Sequence, residues 1–275
     1  MTSFDMIVIG SGPAGQRAAI QGAKSGKRVG VVERRECVGG ACINTGTIPS
    51  KTLREAVMHL SGYAYQGIYG VNYRVKEKIT MADLAFRVQH VIKTEIDVIV
   101  SQLNRNGVQV LAGYASFIDP HTVRITNLTG SVDYHAENII IATGTKPAES
   151  PKVPYNNRNI INSDQILNMQ EIPKTFIVVG GGVIGVEYTC MFATLGVRMI
   201  LVEKRPRLLE FADGEIVEAL SYHLRDNRVT MRLNEEVSSV EEMPDGSVVA
   251  NLESNKKITG SALLYAVGRQ GNVDE

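Results

Sequence analysis

Residues 4–15, Phe4-Asp-Met-Ile-Val-Ile-Gly10-Ser-Gly12-Pro-Ala-Gly15, decide how this chain is read. A short apolar run ends in a G-x-G-x-x-G turn, a helical stretch follows to about Ser25, and a second apolar run, Val29 to Val32, is closed by Glu33. Strand, glycine turn, helix, strand and acid in that order make a dinucleotide-binding unit. Gly10 permits the tight turn, Gly12 lets backbone approach a pyrophosphate, and Gly15 lets the helix pack closely on the strand. The helix start offers unpaired N–H groups and a partial positive charge to phosphate. Glu33 stands 18 residues past Gly15, where an acid accepts hydrogen bonds from a ribose.

The pattern then recurs. Thr175 to Val179 reads as a strand, Gly180-Gly-Gly182-Val-Ile-Gly185 as the turn, and Val197 to Val202 as the second strand, with Glu203 again 18 residues past the last glycine. One such turn is a weak signal, whereas two in the same context specify a doubled architecture. Lys204, Arg205 and Arg207 follow the second acid. A carboxylate accepts from a ribose 2′-hydroxyl and repels a 2′-phosphate, whereas arginine pairs well with phosphate. The second unit is therefore expected to accept both forms of dinucleotide, Glu203 favouring the hydroxyl and Arg205 the phosphate.

Between the units the periodicity predicts a helix from Ile48 to about Gln66 and another from Met81 to Asn104. Thr80 and Asp83 form a capping-box start for the latter, and Leu84, Val88, Val91, Ile92, Ile96 and Ile99 make its core stripe. Tyr63, Tyr65, Tyr69 and Tyr73 have no basic patch beside them and are read as packing residues rather than a stacking platform. From Gly107, the runs Val108–Leu111, Tyr114–Ile118, Thr122–Thr126 and Val132–His135 alternate as an antiparallel meander, followed by Asn138–Gly144. Three prolines within 146–154 mark a boundary. Beyond the second unit come a helix over Gly214–Arg225, an antiparallel group between Val229 and Ile258, and a strand over Ala262–Val267.

Composition narrows the class. A chain of 275 residues suggests about two domains of roughly 150 each. Lys plus Arg balance Asp plus Glu at 29 each, which gives no electrostatic case for nucleic acid or an anionic membrane. No apolar run approaches the roughly 20 residues of a membrane span, and the start, MTSFD, has no basic region of a signal peptide. A soluble cytoplasmic protein is expected. His59, His90, His121, His135 and His223 show no metal-ligand spacing, so no metal is expected. Glu241 and Glu242 read as a solvated strand edge.

One further stretch carries chemistry: Gly39 to Lys51, GGACINTGTIPSK. It resembles the redox-active segment of the two-dinucleotide-domain flavoprotein reductases, in which two cysteines shuttle electrons as a disulfide. Here Cys42 holds the first position and Thr47 the second. A disulfide relay needs two sulfurs, and a threonine hydroxyl can only donate or accept a hydrogen bond. The Cys-to-Thr pattern, the Ala-Thr-Gly run at 142–144 and Gly268-Arg-Gln-Gly-Asn272 resemble, within that family, the soluble pyridine nucleotide transhydrogenases. The family motif puts Cys37 in the flavin-binding loop, so Cys37 and Cys42 are not expected to form a redox pair.

The resemblance covers essentially the whole chain. It implies an α/β fold of two Rossmann-like domains in three layers, each a parallel sheet with an antiparallel meander: residues 1–150 for FAD, 151–271 for NAD or NADP, and 272–275 as the start of a return to the flavin domain. It further implies a longer protein with a C-terminal dimerisation domain that these residues lack, and a homo-oligomer. Carried over by position, the flavin site is Gly10, Gly12, Gly15, Glu33, Gly39, Gly40, Cys42, Lys51, Gly113, Thr143 and Gly144, with Cys42, Thr47 and Lys51 at the reacting centre. The nicotinamide site is Gly180, Gly182, Val183, Ile184, Gly185, Glu187, Glu203, Lys204, Arg205 and Gly268. The activity implied is Si-specific transhydrogenation, reversible hydride transfer between NADPH and NAD⁺ through FAD with ping-pong kinetics. The alternatives are a dihydrolipoamide dehydrogenase-like disulfide reductase, which Thr47 disfavours, and a non-catalytic nucleotide-binding chain.

Overall fold

The computed structural model describes residues 2–70 and 72–273. By contact the chain divides into two compact units, one of Met1–Ser50, Gln89–Lys146 and Gly271–Glu275, the other of Lys51–Val88 and Pro147–Gln270. The sequence divides the chain at the prolines of 146–154, whereas in space residues 51–88 also group with the second unit.

The first unit grows from β1 (Thr2–Ile9), whose Phe4, Ile7 and Val8 are fully buried. α1 (Pro13–Lys24) crosses to β2 (Val29–Glu33), which pairs parallel to β1. Along the chain four helices follow, α2 (Gly40–Asn44), α3 (Thr47–Leu60), α4 (Gln66–Tyr69) and α5 (Met81–Arg105), of which residues 51–88 group with the second unit. Then come β3 (Gln109–Ala112), β4 (Tyr114–Asp119), β5 (Thr122–Asn127) and β6 (Gly130–Ile141). The sheet order is β3-β2-β1-β6-β5-β4. Val8, Ala19, Val31, Ile99 and Leu103 pack in one core cluster, and Phe4, Ile7, Val32, Leu111, Val123 and Ile125 in another.

The fold corrects four expectations, the last of them in the second unit. The run at Val108–Leu111 is not part of the meander: β3 pairs parallel with β2, from Gly30↔Gln109 to Glu33↔Ala112. A strand reached through a long helix returns in the same direction as the strand before it, and apolar alternation carries no direction. The runs at Val132–His135 and Asn138–Ile141 are two halves of one strand, β6. Its first half pairs antiparallel with β5, and residues 134–141 run parallel to β1, from Thr2↔Tyr134 to Ile9↔Ile141. Among the described residues, 137–141 pair on the β1 side alone. The helix expected to reach Gln66 stops at Leu60, because Gly62 turns the backbone to φ 69° and a 3-10 turn over Tyr63–Tyr65 precedes α4.

The capping box forms: Thr80 N–H donates to Asp83 Oδ2 at 2.8 Å and Asp83 N–H to Thr80 Oγ1 at 3.2 Å. Of the expected stripe, Leu84, Val88 and Ile99 are buried and Val91, Ile92 and Ile96 half-buried. Tyr65, Tyr69 and Tyr73 pack on one another, their ring centroids 5.0 to 6.4 Å apart. Tyr65 and Tyr69 nonetheless stay exposed, so the packing is mutual rather than into a core.

After β7 (Thr145–Pro147) the second unit builds β8 (Ile160–Asn162), β9 (Thr175–Val179), α6 (Val183–Thr194), β10 (Arg198–Glu203), α7 (Gly214–Asp226) and β11 (Thr230–Leu233). β12 (Val237–Glu242), β13 (Val248–Leu252), β14 (Lys257–Gly260) and β15 (Ala262–Tyr265) complete it. The five-stranded sheet β11-β10-β9-β15-β8 is parallel throughout, and β12-β13-β14 is antiparallel. β11 departs from the antiparallel group that the sequence predicts between Val229 and Ile258. It follows helix α7 and pairs parallel with β10, for the reason that governs β3. Ile177, Val179, Ile200 and Val202 of the parallel sheet share one core with Val240, Val248, Ala250 and Leu252. Among the described residues, no helix is long and apolar enough to cross a membrane.

Candidate nucleotide-binding clefts

Each unit folds its glycine turn the same way. Gly10 has φ 107°, and a Cβ there would lie 2.3 Å from the Ala142 carbonyl oxygen; one on Gly15 would lie 1.9 Å from that of Gly10. Gly180, at φ 110°, stands in the same relation to Ala266 at 2.4 Å, and Gly185 to Gly180 at 1.9 Å. No side chain fits at these positions. The turn thereby delivers the helix start to the cleft. α1 begins after Gly12 and α6 after Gly182, neither with a side-chain cap. α7, which opens on neither cleft, is capped by Asp213, whose carboxylate accepts from the Glu215 and Ile216 N–H groups. Uncapped first-turn N–H groups need an acceptor, and a phosphate at α1 and α6 would supply it.

The acids are tied into the turns. Glu33 is buried; Oε2 accepts from the Ser11 N–H and hydroxyl, and Oε1 from the Arg35 N–H at 2.9 Å. Glu203, also buried, accepts from the Gly181 N–H and, at 2.9 Å, from the Arg205 N–H. In both units the donors are the middle residue of G-x-G and the residue two beyond the acid. Ser11 adds a link of its own: its hydroxyl oxygen accepts from Gly39 N–H at 3.1 Å. Gly40 then packs so tightly on Gly12 that a Cβ would sit 2.8 Å from the Gly12 Cα.

In the second unit Arg205 turns back on Glu203. Its Nε lies 2.8 Å from Oε1 and its Nη2 3.2 Å from Oε2, while Nη1 reaches Glu210 Oε2 at 3.2 Å. Burial opposes ionisation of Glu203. The bonds from the Arg205 guanidinium and from the Arg205 and Gly181 N–H groups outweigh it and hold the carboxyl below its ordinary value. The same contact raises the Arg205 guanidinium above its own.

Gly10, Gly12, Glu33, Gly40, Cys42, Gly113, Thr143 and Gly144 line the first cleft. Gly15 lies beneath the turn, Gly39 donates to Ser11, and Thr47 and Lys51 are not in the lining. Gly180, Gly182, Val183, Ile184, Glu203, Lys204, Arg205 and Gly268 line the second cleft, with Gly185 beneath its turn. Glu187 faces elsewhere, its Oε1 2.5 Å from Lys51 Nζ. These two site candidates, drawn from different sites, thus meet within the second unit.

The family profile of the pyridine nucleotide-disulphide oxidoreductases matches residues 4–275. The chain belongs to that family. Among relatives of this chain, the soluble pyridine nucleotide transhydrogenase of Mycobacterium bovis is 50% identical over all of this chain and 59% of its own length. That of Colwellia psychrerythraea is 40% identical over 98% of this chain and 58% of its own. The chain thus spans less than two thirds of the relatives it matches. Among solved structures, LpdA from Mycobacterium tuberculosis superposes with a TM-score of 0.89 at 25% identity, over 100% of this chain and 60% of that one. The Cu(II) complex of the HOCl-induced flavoprotein disulfide reductase RclA from Escherichia coli gives 0.87 at 28%, over 99% and 58%.

In this chain Cys42 sits on α2 in the first cleft, while Thr47 opens α3 and is exposed. All three cysteines are free; burial pushes the Cys190 thiol up. Among the described residues no three His, Cys, Asp or Glu side chains gather as a metal site. Sequence spacing overlooked Ser11, Arg34, Arg35, Tyr114, Lys146 and Asn272 in the first cleft. Asn272 was legible in the G-R-Q-G-N run: its N–H bonds the Gly144 carbonyl at 3.0 Å and its Nδ2 that of Thr143 at 3.4 Å. In the second cleft Glu235, Glu236, Tyr265 and Arg269 were overlooked, Arg269 pairing with Asp164 at 2.7 Å. Glu242 is more than a solvated edge, since it bonds Arg158 and Asn156, while Glu241 accepts from Asn251.

Proposed function

We propose that these residues are the two nucleotide-binding units of an FAD-dependent, Si-specific transhydrogenase that exchanges hydride reversibly between NADPH and NAD⁺. One observation carries the reading: the first cleft presents Cys42, and the place of a second sulfur is taken by Thr47. The relatives' names and the two repeated turns support it. The disulfide-reductase reading draws on the structural neighbours but lacks the second sulfur its chemistry needs.

The first cleft suits FAD. Gly10, Gly12 and Gly40 leave a side-chain-free cradle at the uncapped start of α1, which fits a pyrophosphate. Glu33 fixes the turn beside the ribose position, and Gly113, Thr143 and Gly144 with Asn272 form the opposite wall. In the second unit, the start of α6 receives the nicotinamide nucleotide's pyrophosphate, and Glu203, Lys204 and Arg205 meet its ribose.

Bound flavin would supply the relay, accepting hydride from one nicotinamide nucleotide and returning it to the next. The protein's part is binding and charge. The α6 N–H groups offset pyrophosphate charge. The cation assigned to the flavin, Lys51, rests on the resemblance alone, since its Nζ pairs with Glu187 outside the lining of the first cleft. Cys42 alone offers no second exit for the electron pair, so donor and acceptor nucleotides take turns in one pocket. That order predicts ping-pong kinetics in the flavin-loaded protein: parallel double-reciprocal lines for NADPH against an NAD⁺ analogue. Intersecting lines, or turnover of a disulfide substrate, would overturn the reading.

A further inference from the structure

We propose that Glu210, outside the lining of the second cleft, is a specificity-determining residue that acts through Arg205, holding it away from a 2′-phosphate and so setting the balance between NADP(H) and NAD(H). The inference rests on the reading of that cleft as the nicotinamide nucleotide site.

The geometry is that of an arginine clamped between two acids. Glu203 takes Nε and Nη2, leaving Nη1 as the outer donor of the fork, and Glu210 Oε2 occupies it at 3.2 Å. The two acids differ in kind. Glu203 is buried and also holds the turn, whereas the Glu210 side chain is 56% exposed, so only the outer contact is easily exchanged. Glu210 is not placed there by chance of surface rotamer. Leu208 is fully buried and packs beneath the glycine turn, close to Gly181. Leu209 adopts φ 42° and donates its N–H to the Gly181 carbonyl at 3.0 Å, and the Arg207 guanidinium bonds the Glu210 carbonyl at 2.7 Å. The loop therefore delivers the Glu210 carboxylate to the outer face of Arg205.

A 2′-phosphate must compete with that carboxylate for the guanidinium, whereas a 2′-hydroxyl makes no call on the guanidinium's charge. Glu210 thus acts through Arg205 and against the phosphorylated coenzyme alone.

The test is titration of the purified chain with NADPH and with NADH, followed by nicotinamide fluorescence, for wild type, Glu210→Gln, Arg205→Gln and the double variant. Glu210→Gln should tighten NADPH about two- to fivefold, the range an exposed ion pair commands. NADH affinity should stay unchanged, and added salt should shrink the gain. In the Arg205→Gln background the gain should vanish. An unchanged NADPH-to-NADH ratio, or an equal gain without Arg205, would overturn the proposal. Gly182→Asp separates this failure from that of the underlying reading. Its Cβ meets no atom within 4 Å and its backbone is extended, so the residue fits and would cap α6 with a negative charge. If Gly182→Asp leaves both coenzymes bound as before, the cleft is not the nucleotide site, and the role of Glu210 falls with it.

Discussion

At position 203 one buried carboxylate anchors the Gly181 turn, the Arg205 backbone and the Arg205 guanidinium together. Because these bonds hold its carboxyl below the ordinary 4.5, Glu203 binds fewer protons in the folded chain than in the unfolded one. Its contribution to stability is complete above that unfolded value and is lost as pH falls through the lower folded value. Denaturant unfolding followed across the acid range should therefore show a shallower loss of stability below pH 4.5 for Glu203→Gln than for wild type. Superimposable slopes would show that the network does not hold the carboxylate ionised. The 18-residue spacing made Glu33 and Glu203 legible. It did not reveal that each acid holds its own turn, because that depends on where the middle residue of G-x-G points its N–H. The closure of Arg205 onto two acids was equally hidden, since spacing says nothing of side-chain direction.

The helices divide by what stands at their first turn. α7 carries its own cap in Asp213, while α1 and α6 leave their starts open toward the clefts. Asp213→Ala should cost about 1 kcal/mol of stability, as loss of an N-cap does. It should leave nucleotide affinity unaltered, because Asp213 does not line the cleft. A urea titration reads the first effect and coenzyme titration the second; a loss of affinity matching the loss of stability would count against this division. Strand positions were legible from apolar runs, and the two strand–turn–helix units from their glycines. The direction of β3 and β11 was not, since a four-residue strand has the same alternation whichever way it runs. The break at Gly62 was missed because the apolar pattern continues through Tyr63 and Tyr65 while the backbone turns left-handed.

Across the whole molecule, two clefts of one design differ in completeness. The second unit closes its parallel sheet over a core shared with β12 and β13. In the first, among the described residues, 137–141 of β6 pair on one side only, and Ile141, beside the Thr143–Gly144 wall, is 62% exposed. An exposed apolar strand edge next to a cleft invites association or loss of order. With 59% of a relative's length in hand, these 275 residues are proposed to hold nicotinamide nucleotides well and flavin poorly. The most direct test is one sample of purified chain, its FAD content read from flavin absorbance and its NADPH binding from nicotinamide fluorescence. The account predicts substoichiometric flavin with saturable NADPH binding. A yellow chain carrying one FAD per molecule and passing hydride from NADPH to an NAD⁺ analogue would contradict it.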